Sequence, residues 1–221
     1  TGVADPFTCE ERIRMLRQIA GIDVEIIARN DFGMATANTF AAIKAGARFA
    51  RVTAMGIGQR AGCAPLEEVA MVSKHMLNID TGVDTTKLHH IAEAVSTASG
   101  VAIWPSKPII GPKCFAQEAG FANNPLVTEP YDPTEVGMER SLVIGKHSVR
   151  NTIVAAISGM GIDISNTDAE NLLALVRKAS CQMHRSLSVS ELFLLYEDMM
   201  SGNNTFDDDC ECSHEPAQTS E

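Results

Sequence analysis

The sequence predicts an α/β protein, and three observations carry that expectation. Short apolar runs alternate with helical patterns through the first 78 residues. The turns between them are marked by Gly or by Asn-Asp, and the remainder reads as helix and proline-rich connection. Strands that alternate with helices imply a parallel sheet, because parallel neighbours must be joined by a crossover.

In chain order, Thr8-Cys9-Glu10-Glu11 fits a capping box, with a Thr N-cap and Glu three residues on. It is expected to open a helix through Ile13, Leu16 and Ile19, stopped at Gly21. Asp23 to Arg29 is short and apolar, which suits a buried parallel strand. After the polar turn at Asn30-Asp31-Phe32-Gly33, an Ala-rich helix is predicted from Ala35 to Ala45, ending at Gly46. Arg48 to Thr53 is the second strand, followed by the loop GIGQRAG at 56–62. Pro65, with Glu67 and Glu68 in the first turn, opens a helix to about Leu77. Further helices are expected at Asp84–Ser99, Asp168–Arg185 and Ser190–Met200, with residues 101–133 as a long connection.

Two strands with helices leave both sheet edges unpaired, and an eight-stranded barrel alone needs about 250 residues. Together with a start at Thr1 in an apparent strand-to-helix turn, this predicts an incomplete chain or a partner chain that supplies the other strands.

The net charge of −10 argues against nucleic acid or an anionic membrane as partner. Six of the acids (Asp207, Asp208, Asp209, Glu211, Glu215, Glu221) fall in residues 203–221, where there is no Lys or Arg. That stretch is expected to be a disordered acidic tail. No run of about eighteen apolar residues suggests a membrane span. The sequence has no leader pattern, and its six cysteines (Cys9, Cys63, Cys114, Cys181, Cys210, Cys212) form no disulfide framework. Reduced thiols in a cytoplasm are expected. Cys210-x-Cys212-x-His214 could offer soft metal ligands but lacks a second pair. The loop glycines Gly56, Gly58 and Gly62 are not spaced as a dinucleotide fingerprint, and a tight-turn role suits them better. His75, His89 and His90 fall on predicted helices, where packed or solvated histidines are the ordinary reading.

Four blocks resemble the homocitrate, isopropylmalate and citramalate synthases, in that family's order: TGVADPF at 1–7, NDFGMATANTFAAIKAGA at 30–47, GIGQRAGCAPLEEV at 56–69 and EPYDPTEVGMERSLVIGKHS at 129–148. The TANT and RAGxAPLEE wording resembles in particular the nitrogenase-associated homocitrate synthases. The resemblance implies the last βα units of a TIM barrel followed by a mainly helical linker region. Residues 1–82 would be the barrel end, 83–150 a linker subdomain, 151–201 a helical C-terminal region and 202–221 the acidic tail.

The same resemblance implies condensation of acetyl-CoA with a 2-oxo acid at a divalent metal such as Mg or Mn. In the family two metal ligands form a His-x-His pair at a strand end, where positions i and i+2 share a face. Here those positions are Ile27 and Arg29. Cys63 stands where the family's RAGN loop has Asn, Gln59 where its GxGER loop has an acid, and Gln117 to Ala122 (QEAGFA) where its linker has HESGIH. Asn30, Asp31, Lys146 and His147 match the family and remain candidate site residues. Polar turn, N-cap or linker-packing roles are the alternative for each. No cofactor is therefore expected for this chain, and the expected function is that of a catalytically inactive family member. A non-catalytic subunit that joins an N-terminal barrel chain, or a homo-oligomer, is the alternative. An active enzyme with a rearranged metal site at Cys63, Asp31 or the tail cysteines would be a third.

Overall fold

A computed structural model of the chain describes residues 2–117 and 129–202. The expected acidic tail, the Cys210-x-Cys212-x-His214 stretch and most of QEAGFA lie outside the described residues. The chain forms two compact units. The first comprises residues 1–115 with 131–139, and the second 116–130 with 140–221.

The first unit opens with α1 (Pro6–Ala20), whose N-cap is Asp5. The Thr8 capping box does not form. The Asp5 carboxylate instead accepts the Thr8 backbone N–H at 2.9 Å and the Thr8 hydroxyl at 2.6 Å. Pro6 explains the shift, because its fixed φ suits the first helical position and moves the cap back to the residue before it. Gly21 ends the helix at φ +62°, in the left-handed region.

β1 (Glu25–Ile26) and β2 (Phe49–Ala50) pair in parallel, Glu25 opposite Phe49 and Ile26 opposite Ala50. Between them runs α2 (Ala35–Lys44). Its small residues let α1 approach closely, and Cys9 and Ile13 pack on Ala42 and Ala47. After a 3-10 turn at Ala54–Gly56, α3 (Leu66–Leu77) carries Glu67 and Glu68 in its first turn, where carboxylates favour the positive helix end. Ala28, Ala35, Ala64 and Val69 form a core of small side chains between the strands and these two helices.

The predicted helix over 84–99 divides into a 3-10 turn (Thr85–Lys87), capped by Asp84, and α4 (Leu88–Ser99). Residues 131–139, with a 3-10 turn at Pro133–Val136, return to this unit. Val136 and Met138 complete a core with Met71, Leu88, Ala92, Ile110 and Phe115. His75 lies 3.1 Å from Glu135, and His89 bonds the Ile110 carbonyl at 3.2 Å, so both serve packing.

The second unit holds the parallel pair β3 (Ala116–Gln117) and β4 (Ser141–Leu142), then α5 (Arg150–Ser158), α6 (Asn166–Met183) and α7 (Val189–Met200). Its core is larger and aliphatic: Ile144, Ile153, Ile157, Leu172, Val176, Leu192 and Leu195. The capping box absent from α1 is present here, between Ser188 and Glu191 at the start of α7. Among the described residues no helix is long and apolar enough to cross a membrane.

Candidate functional site

The C-terminal end of β1 and the loop at 56–62 meet in the first unit. Beyond the two paired residues the chain stays extended, and Arg29 forms an isolated antiparallel bridge with Cys63. Asn30 N–H donates to the Gly62 carbonyl at 3.1 Å, and Ala64 N–H to the Ala28 carbonyl at 3.3 Å. Gly62, at φ +86°, sits against the Gly56 carbonyl, so a side chain there has no room. These backbone contacts bring residues 29–31 and 59–63 together.

The side chains of Arg29, Gln59 and Cys63 bond to one another. One terminal nitrogen of Arg29 donates to the Cys63 sulfur at 3.1 Å, and the other to the Gln59 side-chain oxygen at 2.9 Å. Ile27, two residues back along the strand, is 44% exposed. This donor set does not fit a divalent metal. Arg has no lone pair and a fixed charge, Ile has no donor atom, and the Cys63 sulfur already accepts a cationic N–H.

Asp31 is also engaged. It accepts two hydrogen bonds from Arg60, at 2.7 and 3.0 Å, and the Gly2 N–H at 3.1 Å. The Arg60 hydrogen bonds lower its pKa from 3.8 to about 2, with help from Gly2 N–H and the charges of Arg60 and Arg29 and some opposition from desolvation. Asn30 uses its side-chain oxygen to accept the Ala35 N–H at 3.1 Å, so it caps the entry to α2. Asn30 thus bonds the start of the following helix, whereas Asp31 pairs with Arg60 across the loop.

Lys146 and His147 belong to the other unit. Both are exposed, on a turn closed by hydrogen bonds between Gly145 and Ser148. Buried Ser148 is the structural residue of that segment, and Arg177 donates to its carbonyl at 2.9 Å.

A cavity of about 600 Å³ borders Asn30, Cys63, Thr36, Phe40, Glu68 and Lys107. Lys107 holds one edge, with its ammonium 3.1 Å from Glu68 and 3.3 Å from the almost fully buried Glu67. Thr36 donates to Glu68, and Met55 N–H to Glu67 at 3.1 Å. The latter bond holds Met55 in the left-handed region at φ +59°, rare for a residue with a side chain. Sequence reasoning missed Lys107, because it lies in an aperiodic proline-rich stretch.

Comparison with known proteins places these features. Residues 1–95 match the HMGL-like family model. The chain is 43% identical over 204 residues to 2-isopropylmalate synthase 2 of Caldanaerobacter subterraneus, which covers 90% of this chain and 53% of that protein. It is 42% identical over 202 residues to homocitrate synthase 1 of Nostoc sp., covering 89% and 54%. A third relative, the 2-phosphonomethylmalate synthase of Streptomyces rubellomurinus, is 38% identical over 200 residues, covering 88% and 54%. The chain belongs to the family of homocitrate and isopropylmalate synthases. It spans about half the length of these relatives.

Proposed function

We propose that this chain is a homocitrate-synthase-like member of the acyltransferase family that does not itself condense acetyl-CoA with a 2-oxo acid. The observation that carries the reading is the bonding of Arg29 to Cys63 and Gln59. In the reaction a hard Lewis acid must polarise the keto oxygen. Here a guanidinium occupies the position of a ligand, and its neighbours are committed to it. The short β1–β2 pair supports placing residues 1–82 as the last βα units of a barrel. The proposal extends to a cytoplasmic location, supported by the free thiols of Cys9, Cys63, Cys114 and Cys181.

The test is release of free CoA from acetyl-CoA with candidate 2-oxo acids and Mg or Mn. Absence of release is the expected result. Turnover at about one per second, an ordinary enzyme rate, would reject the reading.

A second reading is a non-catalytic subunit that completes a barrel with a separate N-terminal chain. Its support is the two-stranded β1–β2 sheet, whose surroundings expose Phe7, Ile27 and Phe49. Unpaired edges of this kind are normally covered. Co-purification with such a chain from the source cell is the expected result; a stable monomer there counts against it.

A further inference from the structure

Among the described residues Arg29 has no carboxylate bonded to it, and the acid that feels its charge, Asp31, is hydrogen-bonded to Arg60 instead. The two hydrogen-bond acceptors of Arg29, the Cys63 sulfur and the Gln59 amide oxygen, are formally neutral. Arg29, Arg60 and Asp31 together leave one net positive charge at the strand end. The guanidinium has five N–H donors, of which Cys63 and Gln59 take two, so three remain. Arg29 is only partly buried, which leaves an approach from solvent.

We infer that Arg29 forms a metal-independent site for a small monocarboxylate, held by the open N–H groups of the guanidinium. The planar fork matches the two oxygens of a carboxylate. One net positive charge also matches one carboxylate, whereas a phosphate brings more than one negative charge at neutral pH. Cys63 and Gln59 fix the guanidinium, so little side-chain freedom is lost on binding. The inference rests on the reading that the metal site has been replaced.

The experiment is an NMR titration of the full chain with propionate in excess EDTA, following the Arg29 Nε–H resonance, with inorganic phosphate in parallel. Saturable movement of that resonance by propionate, with weaker response to phosphate, is the expected result. Arg29→Met should weaken propionate binding about tenfold or more, and Arg29→Lys, which keeps the charge but not the fork, should fall between. Failure of wild-type protein to bind propionate, unchanged binding by Arg29→Met, or tighter binding of phosphate would each overturn the site. If Arg29→Met does not fold, the wild-type resonance still decides. Release of CoA in the condensation assay would sink the proposed function by a different measurement. Absence of propionate binding alongside absence of turnover would remove only this site.

Discussion

The guanidinium of Arg29 donates to the thiol sulfur of Cys63 across 3.1 Å, joining a strand end to a loop 34 residues further on. Each residue stands where relatives of this fold are expected to serve a metal, and here the two serve each other. Together with the bond from Arg29 to Gln59, the contact makes a hydrogen-bonded clasp between strand end and loop.

Placing imidazoles at Ile27 and Arg29 should create a metal-binding position. With Ile27→His and Arg29→His the donors lie two residues apart in extended chain and share a face. Affinity for Mn(II), read by electron paramagnetic resonance, is expected to rise at least about tenfold over wild type, or about 1.4 kcal/mol. An unchanged spectrum would show that the missing donors lie elsewhere.

Asp31 should titrate at about 2, below its ordinary 3.8. A depressed carboxyl pKa means that the Asp31–Arg60 pair contributes stability above the ordinary value, and that this contribution fades as pH falls toward 2. In Arg60→Gln the carboxyl resonance of Asp31 should move its midpoint back toward 3.8.

The Lys107 clamp predicts an asymmetric pair of mutants. Lys107→Met leaves the buried Glu67 carboxylate without its cation, and breaking such a pair costs about 3–5 kcal/mol. Adding Glu67→Gln removes the stranded charge and should recover part of the loss. Urea unfolding of the two proteins measures both effects.

Gly62→Ala should disturb the site loop more than the rest of the molecule. A left-handed φ with a side chain costs about 1–3 kcal/mol, and the new methyl also meets the Gly56 carbonyl. Amide exchange should accelerate first at Asn30 and Cys63, whose N–H groups donate to Gly62 and Gly56.

In the second unit, Ser188→Ala removes the N-cap of α7, whose side chain accepts the Glu191 N–H at 3.2 Å. A loss of about 1 kcal/mol is expected in thermal or urea unfolding.

Much of the first unit was legible in the sequence, because periodicity and punctuation are local signals. Helices α2 and α3 fall within a residue or so of their expected limits. The strands were legible as apolar runs over 23–29 and 48–53, yet only two residues of each pair. A ladder needs a neighbour, and residues such as Arg29 and Thr53 find only isolated bridges, to Cys63 and Pro65. The cap of α1 was misplaced because a Thr-x-x-Glu pattern says nothing about a better acceptor three residues upstream. At the site, Arg29, Gln59 and Cys63 could each be singled out in the sequence. Their bonding could not, since Arg29, Gln59 and Cys63 meet only when loop and strand are folded together.

Val136 and Met138 lie in the core of the first unit although residues 116–130, assigned to the second, precede them. The first unit is therefore discontinuous in sequence. A ribosome that has finished Phe115 has not yet made everything this core needs, and must add more than twenty further residues before Met138 emerges. At about 5–20 residues per second, the nascent first unit waits seconds with Met71, Leu88 and Ile110 incompletely covered. The order of synthesis thus sets a window in which this half of the molecule is open to chaperones, or to another chain.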